Sequence, residues 1–323
     1  MILVTGGAGY IGSHTVKMLI DRGKEILVVD NLSRGFKEAI HPKASFENAD
    51  LLDFETLSKV INKYEIEAVV HFAAFAYVGE SVENPQLYYN NNVVGSFNLI
   101  KAVTTKGIKK FVFSSTCSTY GNPIQVPISE TETTKPINPY AKTKLMIENI
   151  LEDFNTAYGL NYVALRYFNA AGCSEDGDIG ESHNPETHLI PLVLQSMTEK
   201  GKQLKVFGDD YDTPDGTCIR DYIHVNDLAD AHIRALDYLN NNDKPVVINL
   251  GTGDGNSVKD IINTSEKVTE KKANYVMNPR RPGDPAILVA DNKKAKEVLG
   301  WTPKYKLEKI IETAWKWHLN KKY

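Results

Sequence analysis

Cysteine is scarce in this chain, and the three present, Cys117, Cys173 and Cys218, are odd in number and fall at no metal-ligand spacing. A disulfide framework is excluded as the source of stability, and free thiols are expected, as in a reducing compartment. Cys117 lies beside a candidate active-site residue, but no base accompanies it in the pattern, so a small packing residue is expected there rather than a nucleophile. Positive charge is not in excess: 37 Lys and Arg stand against 41 Asp and Glu, a formal net charge of −4. That leaves no basic footprint for nucleic acid. Any phosphate-bearing ligand has to be held by a few placed arginines. No uninterrupted apolar run reaches membrane-spanning length, and Met1 runs straight into an apolar strand without a basic and apolar leader, so a cytoplasmic location and no membrane partner are expected. Internal repeats and low-complexity segments are also missing.

What is there is an ordinary globular composition, 42% apolar and 24% charged over 323 residues, enough for one large domain or two modest ones. Strand-like runs recur at 2–5, 26–30, 68–73, 111–115 and 162–167, separated by longer helical segments. The alternation predicts an α/β protein with a Rossmann-type, doubly wound parallel sheet. Past residue 170 the texture changes: 172–184 reads as loop, a helix is expected over 190–197, and the stretches 208–216 and 279–285 read as ligand-facing loops. A dinucleotide-binding domain over 1–170 and a smaller C-terminal α/β domain over 171–323 are therefore expected. The apolar run 246–250 returns to the first sheet in this reading, so the two domains interleave, with a returning segment near 220–255.

The first strand is followed at once by Gly6-Gly7-Ala8-Gly9-Tyr10-Ile11-Gly12. Gly7, Gly9 and Gly12 fit a dinucleotide fingerprint: one glycine for the tight turn, one for backbone approach to a pyrophosphate, one for close helix packing. The helix that follows offers its dipole and free N–H groups to phosphate. The second strand ends on Asp30, placed to bond a ribose 2′-hydroxyl, which favours NAD over NADP because a carboxylate repels a 2′-phosphate. Arg34 is the one nearby residue that could offset that repulsion. Further on, Tyr140 and Lys144 stand four apart on a helix that Pro136 and Pro139 introduce and Tyr158-Gly159 ends. A phenol with a reference pKa of about 10 is a poor base at neutral pH, and a nearby ammonium would move it toward working pH.

Thr5 to Gly12 (TGGAGYIG), Phe113 to Thr116 (FSST), Tyr140 with Lys144, Arg166 to Asn169 (RYFN) and Arg220 to His224 (RDYIH) together resemble the extended short-chain dehydrogenase/reductase superfamily. Within it the chain resembles the UDP-glucose 4-epimerase family, which His71 to Ala74, Val78 to Ser81, 89–93 and Arg280 to Asp284 also match in order. The resemblance implies NAD-dependent 4-epimerisation of UDP-galactose and UDP-glucose through a 4-keto sugar, in galactose metabolism. It implies Thr116, Tyr140 and Lys144 as the catalytic triad. Cofactor contacts would fall on Gly6, Gly9, Tyr10, Ile11, Gly12, Asp30, Asn31, Asp50, Leu51, Phe72, Ala73, Asn92, Tyr140, Lys144 and Phe168. Substrate contacts would fall on Thr116, Asn169, His188, Leu189, Arg220, Arg281 and Asp284, and no metal is implied. His224 is expected to be structural.

Departures from the family pattern carry information. Thr116 stands where serine is common, and a hydroxyl is kept. The related dehydratases follow their threonine with two acids, whereas here Cys117 and Ser118 follow, so dehydration is not expected. Ala76 replaces a lysine that often helps hold the pyrophosphate, implying looser cofactor retention. Leu288 replaces a pocket-narrowing tyrosine, so a UDP-N-acetylhexosamine 4-epimerase is the alternative reading, ahead of a decarboxylase or reductase on the same scaffold. A redox-sensing regulator would have no use for the Tyr140/Lys144 pair. A homodimer through the helices at 85–106 and 140–158 is the family expectation.

Overall fold

Runs of residues buried on both faces pair into one parallel sheet, as a sheet covered by helices on each side requires. In the computed structural model, which describes residues 1–281 and 284–323, the strands are β1 (Ile2–Thr5), β2 (Ile26–Asp30), β3 (Ser45–Asn48), β4 (Ala68–His71), β5 (Lys110–Thr116), β6 (Asn161–Tyr167), β7 (Asn169–Ala171), β8 (Leu204–Phe207), β9 (Ile219–His224), β10 (Val246–Leu250), β11 (Gly255–Ser257), β12 (Tyr275–Asn278) and β13 (Ile287–Leu288). The helices are α1 (Tyr10–Asp21), α2 (Phe54–Lys63), α3 (Val78–Glu83), α4 (Pro85–Tyr88), α5 (Gly95–Thr105), α6 (Pro139–Tyr158), α7 (Leu189–Thr198), α8 (Val225–Asn241), α9 (Val258–Thr269), α10 (Lys293–Leu299) and α11 (Leu307–Leu319). Pro282 and Gly283, inside the Arg280-to-Asp284 motif, lie outside the described residues.

The main sheet runs β10-β6-β5-β4-β1-β2-β3, all parallel. Strand order reverses between β1 and β4, and it is at the carboxyl ends of strands flanking such a switch that α/β sheets bind ligands. The switch point is fastened: His71 Nδ1 meets the Thr5 hydroxyl at 2.6 Å and its Nε2 meets Ser96 Oγ at 2.7 Å. Burial pushes this imidazole down to about 3, so it serves as a neutral connector. One face of the sheet packs under α1 and α8, around Val16, Leu19, Leu228 and Leu236; the other packs under α2, α5 and α6, around Leu57, Leu99 and Ile147. A separate core around Val193, Ile261 and Ile311 joins α7, α9 and α11 beyond the end of β6.

The run at 246–250 does return to the main sheet, as β10 beside β6. Strand β3 was not legible: Ser45–Asn48 carries only Phe46 as an apolar residue, the signature of an edge strand. The strand expected over 68–73 ends at His71, because the N–H groups of Phe72 and Ala73 turn to the Thr5 carbonyl. Helix α6 forms where expected: Pro139 occupies its first turn, Asn138 accepts from Ala141 N–H at 2.9 Å, and Gly159 closes it in the left-handed region.

Candidate active site

The β1–α1 turn is built by glycines that no other residue could replace in place. Gly6 has φ of +72°, and a Cβ added there would lie 2.5 Å from Ala73 N; one added at Gly12 would lie 2.2 Å from the Gly6 carbonyl oxygen. Gly9 caps α1 with extended backbone, and the first turn of that helix, Tyr10 to Gly12, presents N–H groups that the helix itself does not use. The assignment of the turn glycine is corrected: the left-handed residue is Gly6, whereas Gly7 lies against Val28 and Val16 and keeps helix and strand close. The Tyr10 side chain points away from the turn, its hydroxyl donating to the Gly172 carbonyl at 2.6 Å. Its contribution to the turn is backbone.

Asp30 ends β2 beside this turn, its carboxylate accepting from Ala8 N–H (3.1 Å) and Leu32 N–H (2.8 Å), while burial raises its pKa. Asn31 donates to Asp50 at 2.9 Å, which joins the β2 and β3 ends, with Leu51 adjacent. Arg34 is engaged elsewhere: it pairs with Glu80 at 2.6 Å and lies 4.8 Å from the rings of both Phe75 and Tyr77. Phe72, Ala73 and Phe168 line the same cleft, of about 1420 Å³. Asn92 sits one layer behind that wall, its amide bonded to both backbone groups of Phe75 (2.8 and 3.0 Å) and to Thr143 (3.1 Å). A glycine cradle, a helix N-terminus and a carboxylate at the end of β2 are the parts a dinucleotide needs, and the cleft fits one.

Helix α6 and strand β5 bring the three reactive side chains together. Tyr140 and Lys144 lie one turn apart, both buried, and Thr116 ends β5 facing them in the cleft. The Lys144 ammonium donates to the Ser114 carbonyl at 2.7 Å and lies 5.0 Å from the Phe113 ring centroid. Burial pushes the phenol well above its usual value, the Tyr167 hydroxyl adds to the rise, and Thr116 pulls the other way. Lys144 is itself brought down to about 7 by burial, against the opposing pull of Glu148. Desolvation outweighs charge at both groups.

At the far end of the cleft, Arg220 pairs with Asp284 at 2.5 Å and not with the adjacent Asp221. Asp221 instead accepts from the N–H groups of Thr252, Gly253 and Ala290. The Arg281 guanidinium lies 4.0 Å over the Phe207 ring, Asn169 donates to the Asp221 carbonyl at 3.1 Å, and Leu189 and Leu288 complete the wall. His188 lines the cleft, yet its Nδ1 turns to Glu181 at 2.8 Å. His224 is structural as expected, meeting Thr313 Oγ1 at 3.0 Å and accepting from Asn226 N–H. All three cysteines are free, and burial pushes the Cys117 thiol up to about 12, which leaves it inert as a nucleophile.

Two constellations escaped the sequence reading. Glu148 and Arg166 form a buried two-bonded ion pair (2.5 and 3.0 Å) that also takes the Ser115 hydroxyl at 2.5 Å, clamping α6 to β5 and β6. Their separation in sequence gives no local signal. Glu181, His183, Glu186 and His188 gather their polar atoms at one point; here the alternating acids and imidazoles within eight residues were the available sign.

Cleft, turn and Tyr/Lys pair describe a nucleotide-cofactor enzyme of the short-chain dehydrogenase type, and the chain belongs to the NAD dependent epimerase/dehydratase family, whose model matches residues 2–251. It is similar to UDP-glucose 4-epimerase of Lacticaseibacillus casei, 50% identical over 320 residues, 99% of this chain and 97% of that one. The crystal structure of UDP-glucose 4-epimerase from Brucella ovis in complex with NAD superposes with a TM-score of 0.95 at 49% identity, covering 97% of each chain. The UDP-Glc/GlcNAc 4-epimerase from Campylobacter jejuni gives a TM-score of 0.87 at 44% identity over 99% of each chain.

Proposed function

We propose that the protein interconverts UDP-galactose and UDP-glucose by NAD-dependent epimerisation at C4, in cytoplasmic galactose metabolism. The observation that carries this reading is the convergence of Tyr140, Lys144 and Thr116 on one cleft that runs from the glycine turn to Arg220 and Asp284. NAD would be held by the Gly6–Gly12 backbone, Asp30, Asn31 and Lys144. When bound, it supplies a positively charged ring that takes the C4 hydride and gives it back, so no net oxidation occurs. Tyr140 would act as the phenolate, favoured by the Lys144 ammonium and the positive cofactor ring once that ring is bound; it would accept the proton of the 4-hydroxyl, directly or through the Thr116 hydroxyl, and return it to the 4-oxygen once the keto sugar has presented its other face. Arg220 and Arg281 hold the diphosphate, and Asp284 the nucleotide ribose, so the hexose alone is free to turn. Cys117 and Ser118 offer no carboxylic acid to protonate a leaving hydroxyl, which separates the reaction from dehydration.

The test is to add UDP-galactose to the purified protein without cofactor and follow the anomeric sugar signals by NMR. Conversion toward UDP-glucose is expected; activity only after NAD is added would trace to looser retention at Ala76. No turnover in either condition would sink the reading. A parallel reaction with UDP-N-acetylgalactosamine addresses the space that Leu288 leaves, since discrimination by the size of an apolar pocket amounts to only about 1–3 kcal/mol per methylene.

The protein is further proposed to pair through the helical segment 85–105 and α6. Val94, Phe97, Met146 and Tyr158 leave apolar surface exposed on those two elements. Light scattering is expected to give twice the 36.0 kDa chain mass; the single-chain mass at micromolar concentration would exclude the pairing.

A further inference from the structure

The loop before α7 carries, in the wall of the cleft, a cluster to which the reaction above assigns no chemical step. Within eight residues, Glu181, His183, Glu186 and His188 bring one ligand atom each to within 4.8 Å of all the others. Both imidazoles present Nδ1 to the same two carboxylates: His183 lies 3.3 Å from Glu181 and 3.7 Å from Glu186, and His188 lies 2.8 and 3.3 Å from them. Bonds of 2.0–2.1 Å in a tetrahedral site put neighbouring ligand atoms roughly 3.3 Å apart, the middle of this range. The His183 Nδ1 is buried and has no well-formed hydrogen bond among the described residues.

The carboxylates are nearly dry, 7% and 8% exposed, and no lysine or arginine forms an ion pair with either among the described residues. Two buried negative charges need compensation, and among the described residues the groups paired with them are the two imidazoles. One divalent ion would supply the same charge as two histidine protons while using all four groups at once.

The frame around the cluster is already set. One Glu186 oxygen accepts from the N–H groups of Thr187 and His188, both at 2.8 Å. Trp317 Nε1 donates to the Glu181 carbonyl at 2.7 Å, and Ser182 Oγ to the Tyr323 carbonyl at 2.9 Å. The rings of Tyr10 and Tyr77 stand edge-on to His183, at 6.3 and 5.9 Å. Supporting contacts of this kind, fixing ligand orientation from outside, are what hold a metal site in shape.

We propose that Glu181, His183, Glu186 and His188 form a binding site for one divalent transition-metal ion of the zinc class, cross-linking the loop before α7 to itself where it forms part of the cleft wall. Two imidazole nitrogens and two carboxylate oxygens select such an ion over magnesium or calcium, which take oxygen ligands alone. The site is structural: all four positions are filled by protein groups, leaving none open for substrate. The proposal is independent of the epimerase reading.

The full chain is dialysed against a chelator and titrated with zinc chloride alone, by calorimetry and by metal analysis. About one tight equivalent per chain is expected, with affinity falling at low pH as protons compete for the imidazoles. His183→Gln and, at the 46%-exposed side chain, His188→Gln should each weaken uptake by at least the roughly 10–100-fold that loss of a supporting partner costs, since each removes a ligand. Cys117→Ser should leave it unchanged. Zinc should raise the melting temperature of the parent and not of the histidine variants. No uptake by the parent, or uptake undiminished in both histidine variants, overturns the proposal and leaves the cluster as a proton-sharing quartet.

Discussion

Replacing Tyr140 by Phe lowers epimerisation by about 10³-fold, within the range general acid–base groups contribute, and leaves the bound cofactor in place. The side chain keeps its ring in a buried slot, so packing survives and only the hydroxyl is lost. The phenol is held far above its ordinary pKa by burial, and Lys144 gives its hydrogen bond to the Ser114 carbonyl, so no neighbouring side chain substitutes for the missing proton carrier. Thr116 offers a hydroxyl toward the phenol, and a hydroxyl alone relays a proton but does not store one. The readouts are the NMR conversion of UDP-galactose and the ultraviolet absorbance of cofactor released on denaturation. Activity within tenfold of the parent would remove Tyr140 from its role. Loss of cofactor together with activity would show a binding defect instead.

Arg166→Met destabilises the fold by about 3–5 kcal/mol, the cost of stranding a buried charge. Glu148 is then left inside α6 with, among the described residues, only the Ser115 hydroxyl as a hydrogen-bond donor and the Lys144 ammonium one helical turn away. Arg166 also covers the Tyr120 ring at 4.9 Å, a contact methionine keeps in part. The double change of Glu148 and Arg166 to Met should recover most of the loss, because neither charge remains to be buried. Denaturant unfolding of the parent, single and double variants measures both effects. A single-variant loss below about 1 kcal/mol would mean the pair is only a surface-strength contact. Because α6 also carries Tyr140 and Lys144, catalysis in the single variant should fall along with stability.

Much of this molecule was legible before any coordinates. The strands β1, β2, β5 and β6 are buried on both faces, so each carries a short apolar run, such as Phe111–Phe113 in β5 and Tyr162–Leu165 in β6, that announces it. Gly6 to Gly12 and Asp30 are read from spacing because a backbone turn at a phosphate tolerates few residues. Edge strand β3 was missed because solvent on one side relaxes that demand. The fingerprint spacing starts at Gly7 while the left-handed residue is Gly6, since sequence shows that glycines are needed but not which of two adjacent ones turns left-handed.

Local sequence determined the sheet-forming runs, the glycine turn, and the presence of a phenol and an ammonium one helical turn apart, because each is a short-range consequence of residue type and periodicity. Tertiary structure decided what those groups are chemically. Where the Lys144 ammonium places its hydrogen bond, whether Arg34 stands free beside Asp30 or pairs with Glu80, and whether Arg220 meets Asp221 or Asp284 all depend on which chain segments fold against one another. Desolvation and ion pairing are properties of that enclosure, which residues distant in sequence jointly create.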